Sequence, residues 1–222
     1  MFVSATAARI AATAALMFLA ACGAVETGYG QYRQLLTQNF SAMFGTHRVT
    51  LQQAAAIPYA SMGWRLNDGP QNIIILATDA AQEQLWTSRA RIVIQTQDGR
   101  IKRTFGLPRN MGALTPRSDR KLNAPATALQ GPYTGQFLSD FPDMDAYSVP
   151  ITCRAQAKGR RAVTILGRSI STVRVEEQCT CPSLRWTFKN IYWIDSQTGF
   201  VWRSRQTIHP LGDTLETEMF RV

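Results

Sequence analysis

The chain has 222 residues with a formal net charge of +9 at neutral pH, 45% hydrophobic residues and 18% charged ones. The length suits one good-sized domain with its own core, or two small ones. A basic excess points to nucleic acid in a cytosolic protein, but the N-terminal segment directs the reading to another compartment.

Arg9 precedes an apolar run from Ile10 to Leu19, broken only by Thr13, and Leu19-Ala20-Ala21 lead into Cys22. The run is too short and too alanine-rich for a membrane-spanning helix. It fits a secretory signal over residues 1–21 that closes in a lipobox, with small side chains before the cut and a thiol to acylate. An ordinary signal peptide cut at the Ala-Ala pair, with Cys22 incidental, is the alternative. No aspartate follows the cysteine, since Gly23 and Ala24 stand there. The expectation is therefore lipid attachment at Cys22, palmitate included, and anchoring on the periplasmic face of the outer membrane. Two or more acyl chains give stable anchoring, each buried methylene contributing about 0.8 kcal/mol. Residues 22–31 then form a short tether, and residues 32–222 a single β-rich periplasmic domain.

Removing residues 1–21 leaves 222 − 21 = 201 residues with 23 Lys and Arg against 15 Asp and Glu, a formal +8. In that compartment the available polyanions are lipopolysaccharide phosphates and acidic exopolysaccharides, not nucleic acid. The basic residues are scattered, with clumps at 100–103, 117–121 and 158–161 that read as turns on a solvated surface.

In chain order, Leu35, Leu36, Phe40, Met43 and Phe44 recur at helical spacing, predicting one short helix over Tyr32–Phe44 stopped by Gly45. From Ile57 the pattern turns to strands. Tyr59–Leu66 and Asn72–Thr78 flank the turn cluster Asn67-Asp68-Gly69-Pro70, and Gln84–Thr87 and Arg91–Thr96 follow. Gln97-Asp98-Gly99-Arg100 then turns into Ile101–Phe105 as a second hairpin. Leu107–Tyr133 is rich in Pro, Gly, Ala, Asn and Ser and reads as a long connection with one helical turn near Ala126–Leu129. Strands resume at Ala146–Ala157, a turn is expected at Lys158–Arg161, and Ala162–Leu166 and Ser169–Gln178 continue the pattern. Leu184–Asp195, the turn Ser196–Gly199 and Phe200–His209 make an aromatic-rich hairpin, and Thr214–Val222 closes the chain. The fold class is mainly β: an antiparallel barrel or curved half-barrel with one short N-terminal helix.

Beyond Cys22 the cysteines are Cys153, Cys179 and Cys181. An oxidising periplasm favours a disulfide. Cys179 and Cys181 share one face of a strand and sit awkwardly for bonding to each other, so Cys153 pairs with Cys179, or alternatively with Cys181. The spacing is not that of a zinc knuckle, and neither a metal nor a cofactor is expected.

Signatures of catalysis are sparse. Gly28-Tyr29-Gly30 lacks the third glycine of a dinucleotide fingerprint. His47 and His209 read as loop or cap residues. Asp140, Asp143 and Asp145 cluster in a proline-containing loop, where aspartates satisfy their own backbone. Calcium binding and glycoside hydrolysis are the functional alternatives. In the last hairpin, Trp193, Trp202, Arg203, Arg205 and Gln206 form a candidate platform for a glycan or partner, against the reading that the aromatics pack in the core.

Ile57-Pro-Tyr-Ala-Ser-Met62, Asp98-Gly-Arg-Ile-Lys-Arg-Thr-Phe-Gly-Leu-Pro108, Asn190-Ile-Tyr-Trp-Ile-Asp195 and Thr198-Gly-Phe-Val-Trp-Arg-Ser-Arg-Gln206 resemble the YjbF/GfcB family of outer-membrane lipoproteins. That family is linked to group 4 capsule and related exopolysaccharide secretion. The resemblance runs from the lipobox to the C-terminus. It implies a barrel-like β domain, a lipid on Cys22 and a setting beside an outer-membrane β-barrel exporter, with no catalytic residues to carry over. The leading expectation is a non-enzymatic accessory of capsule or exopolysaccharide assembly or export that binds a β-barrel exporter or an acidic polysaccharide. A lipid- or lipoprotein-carrying half-barrel is the alternative, and a hydrolase or lyase using Asp140–Asp145 is a third.

Overall fold

The computed structural model describes residues 47–80, 83–119 and 121–221. The signal segment, Cys22, the tether and the helix expected over Tyr32–Phe44 lie outside the described residues. Among the described residues no helix is long and apolar enough to cross a membrane.

A short helix, α1 (Leu51–Ala55), opens the described chain. Thr50 caps it reciprocally with Gln53, each side chain bonding the other residue's backbone N–H. The strands follow as β1 (Ser61–Leu66), β2 (Asn72–Ala80), β3 (Glu83–Thr87), β4 (Val93–Gln97), β5 (Arg100–Phe105) and β6 (Ala113–Pro116). Then come β7 (Tyr133–Phe141), β8 (Ala146–Ile165), β9 (Arg168–Cys181), β10 (Trp186–Ile194), β11 (Val201–Thr207) and β12 (Thr214–Arg221). All neighbours pair antiparallel in one 12-stranded sheet of order β5-β4-β3-β2-β1-β12-β11-β10-β9-β8-β7-β6. The sheet curls until its two ends nearly meet, an almost closed barrel.

Alternation drives the closure, because one face of each strand needs burial. Phe137, Ile151 and Cys181 face inward with Met62, Ile74, Ile94, Ile101 and Leu215, all at most 3% exposed. Among the described residues no strand ladder joins the sheet ends. Thr104 N–H donates to the Met111 carbonyl at 2.9 Å, the Met111 N–H returns to Thr104 Oγ1 at 2.9 Å, and Arg103 Nε reaches the Gly112 carbonyl at 2.7 Å.

The hairpins over Asn67–Pro70 and Asp98-Gly99 form where the sequence places them. Asp98 and Gly99 both have positive φ, the geometry that lets a two-residue turn match the strand twist. A Cβ at Gly99 would also lie 2.4 Å from the Val201 side chain.

Two expectations are corrected. Lys158–Arg161 is not a turn: β8 runs through it, with an irregularity between Ala157 and Arg160, and the reversal occurs at Leu166-Gly167, both at positive φ. Gly159 at φ +104 accommodates the bulge. Leu107–Tyr133 is not an unstructured connection either. It holds β6 and two 3₁₀ turns, Lys121–Asn123 and Pro125–Leu129, and it ends at the start of β7. The second turn includes the predicted helical stretch at Ala126–Leu129.

Candidate functional site

Several residues carrying the resemblance, Arg100, Asn190, Tyr192 and Gln206, converge inside the barrel. Arg100, at the start of β5, points inward at 4% exposure and meets Glu177 of β9 at 0%. Its fork is bidentate: Nη1 donates to Glu177 Oε2 at 2.8 Å and Nη2 to Oε1 at 2.7 Å. The guanidinium also donates to the Asn123 carbonyl at 3.2 Å and lies 4.6 Å from the centre of the Phe137 ring. Asn190 Nδ2 donates to Glu177 Oε2 at 2.9 Å, and Tyr192 Oη lies 3.3 Å from the same oxygen.

Burial works against both charges. It would lower the Arg100 pKa, but the facing carboxylate outweighs that and holds the guanidinium well above its ordinary value. Burial would likewise raise Glu177, and Arg100 overrides it, so the carboxyl titrates below its usual range. Tyr192 and Tyr133 are pushed up chiefly by burial and stay protonated. The pair is thus a fixed ion pair whose carboxylate accepts bonds from several partners.

Gln206 extends the network. A place in the glycan or partner platform would need it exposed, but its side chain lies inside at 3% exposure. Nε2 donates to the Gly99 carbonyl at 2.9 Å and to Ser204 Oγ at 2.8 Å, while Oε1 accepts from the Ile101 N–H at 3.0 Å. Arg100 and Gln206 therefore tie β5, one end of the sheet, to β9 and β11 across the interior. They supply closure where the two sheet ends have no ladder.

The other platform residues lie on the outer wall. Arg203 sits 5.0 Å from the Trp193 ring centre and is bound to Glu216 at 2.8 Å and Glu218 at 3.3 Å. Arg48 and Arg65 reach Glu216 at 3.1 and 2.8 Å, so arginines from three segments converge there. Burial would raise Glu216, but these arginines, Arg65 foremost, hold it below its ordinary value. Arg205 pairs with Asp68 at 2.9 Å. Trp202 is set edge-on to Phe200 at 4.9 Å. The structure thus brings Trp193 and Arg203 together and directs Gln206 to the opposite face.

The acidic loop is dispersed. Asp140 accepts the Ser148 N–H at 2.8 Å, Asp143 pairs with the buried His209 at 3.1 Å, and Asp145 takes a left-handed conformation after a 3₁₀ turn. His209 accepts the Leu211 N–H at Nδ1, which leaves Nε2 to donate to Asp143. Among the described residues, the one grouping of three metal-type ligands is Cys153, Glu177 and Cys179. Cys153 and Cys179 face each other across β8 and β9 and form a disulfide, and Cys181 is a free, buried thiol.

Among the described residues, side chains pack the interior around Arg100, Phe137 and Trp186. The cavity beside Arg100, Phe137 and Trp186 measures about 20 Å³, room for a single water and far short of an acyl chain.

Sequence reading identified Arg100 and Gln206 as motif residues but not as partners. It missed Glu177, whose place inside an alternating β-branched strand was the available signal.

Comparison with known proteins agrees with this architecture. The uncharacterized lipoprotein GfcB of Escherichia coli K12 is 25% identical over 195 residues, covering 86% of this chain and 88% of that protein. The uncharacterized lipoprotein YjbF of the same organism is 28% identical over 196 residues, covering 86% of each. The crystal structure of the hypothetical lipoprotein YmcC from Escherichia coli K12 shares the fold, with a TM-score of 0.65 and 24% identity over 86% of this chain and 94% of that one. A family described as group 4 capsule polysaccharide lipoprotein, GfcB and YjbF, matches residues 37–220, and the chain belongs to that family.

Proposed function

We propose that this protein is a non-enzymatic accessory of capsule or exopolysaccharide assembly or export, held to the periplasmic face of the outer membrane by acyl chains on Cys22. Family membership across residues 37–220 is the observation that carries the reading. The interior supports a scaffold role, because Glu177, Asn190 and Gln206 bond neighbouring side chains and backbone and the Arg100 fork is held by Glu177. The packed interior counts against the lipid-carrier alternative, and the dispersed aspartates count against a hydrolase. Contact with an exporter would fall on the outer wall, where Trp193 is half-buried beside an arginine neutralised by Glu216.

Deleting the gene and quantifying surface polysaccharide tests the role. Loss restored by the wild-type gene is the expected result, and unchanged polysaccharide would overturn it. Metabolic labelling with palmitate tests the anchor: the wild type should take up label, and a Cys22→Ser protein that still does so ends that claim.

A further inference from the structure

The outer face of β7–β10 carries an open groove of about 600 Å³, within the size range of ligand clefts but not apolar as most of them are. Strand pairing sets its floor. Thr134, Arg154, Gln178 and Lys189 lie in register across β7, β8, β9 and β10. Adjacent strands are about 4.8 Å apart, close to the advance of one pyranose along a chain, so the row offers one polar side chain per sugar step. Gln156 and Glu176 form the next row, paired across β8 and β9.

Charge in the groove is one-sided. Arg154, Lys158 and Lys189 line it, and Glu176 is the one carboxylate among its lining residues. That carboxylate is already engaged by Arg174 at 2.7 Å and Lys189 at 3.5 Å. Lys158 Nζ donates to the amide oxygen of Gln156 at 2.9 Å, a neutral partner. The outer wall near Glu216 differs: its arginines are spent on Glu216 and Glu218. Cations left with neutral or shared partners, interleaved with amide and hydroxyl groups, match a chain bearing both carboxylates and hydroxyls.

We infer that this groove binds a carboxylate-bearing polysaccharide chain, which names the glycan class for the capsule role proposed above and rests on that reading.

The test uses the full lipidated chain in detergent, titrated with oligogalacturonate and, separately, with a neutral malto-oligosaccharide of equal length. Hydrogen exchange followed by mass spectrometry should show protection by oligogalacturonate over residues 132–136, 152–158 and 176–189, and none by the neutral sugar. Arg154→Gln/Lys158→Gln should weaken binding roughly tenfold. Arg161→Gln/Arg168→Gln, the same charge loss on the exposed part of the β8–β9 hairpin, should change it by less than about threefold. No binding of oligogalacturonate, equal loss in the two double variants, or binding confined to lipopolysaccharide micelles would each overturn the inference. In cells, a null strain rescued fully by Arg154→Gln/Lys158→Gln overturns the groove and leaves the accessory role standing. A null strain with normal surface polysaccharide overturns the role itself.

Discussion

Gln206 and Gly99 are joined through the middle of the barrel, the amide of one donating to the carbonyl of the other at 2.9 Å across 107 positions of sequence. The same amide accepts from the Ile101 N–H, so one side chain holds two backbone groups of the β4–β5 hairpin. Gln206→Leu leaves both groups buried and unbonded, and each such loss costs about 1–3 kcal/mol. A drop of at least about 2 kcal/mol in urea unfolding is expected. A variant as stable as wild type would show that the bonds are replaceable.

Arg100 and Glu177 stabilise the fold only as a pair. Removing either partner strands a buried charge, so Arg100→Met and Glu177→Leu should each cost about 3–5 kcal/mol. The double variant should recover much of that loss, since neither charge then needs a partner. Urea unfolding of the four proteins in a double-mutant cycle checks this, and strict additivity would contradict the coupling.

Acid should destabilise the protein through identifiable carboxylates. Glu177, Glu216 and Asp213 all titrate below their ordinary values when folded, Asp213 chiefly through its hydrogen bond from Arg109. The unfolded chain then binds more protons, so their contribution is complete above the ordinary glutamate value of 4.5 and is lost as pH falls through the folded values. Denaturant midpoints should decline steadily below that point, with a shallower decline in Glu177→Gln. Midpoints that rise on acidification would reverse the assigned sign.

The cysteines make a counting prediction. Denatured but unreduced protein, carrying Cys22→Ser to remove the anchor thiol, should take up one alkylating group, at Cys181, by intact mass. Opening the Cys153–Cys179 bond, which spans a sequence separation of 26, should cost about 3 kcal/mol in the chain-entropy treatment. A Cys22→Ser/Cys181→Ser protein that still alkylates would mean that the Cys153–Cys179 bond is not fully formed.

Most of the strand pattern is readable from alternation alone. The Asp98-Gly99 turn and the aromatic hairpin before and after Ser196–Gly199 needed only local chemistry, whereas the register of β8 on β9 decides between Cys179 and Cys181 as the partner of Cys153. What escaped was set by distant partners. Lys158–Arg161 has the composition of a turn, yet pairing with β9 carries β8 through it. Tyr133–Phe141 alternates inward at Gly135, Phe137, Ser139 and Phe141, yet no strand is expected there, because the Pro- and Gly-rich stretch before it and the aspartates from Asp140 onward read as loop. Gln206 reads as a contact residue beside Arg203 and Arg205, although the period of two that exposes those arginines sends Gln206 inward. The groove over β7–β10 is assembled from four strands, so no single stretch of sequence announces it.

The wall of this molecule is a belt, not a hoop, and its buckle is the meeting of β5 and β6. Undoing Thr104 from Met111 there would let the belt loosen without parting any two laddered strands, provided that Arg100 and Gln206 also release their hold. Slow breathing should therefore start along that line.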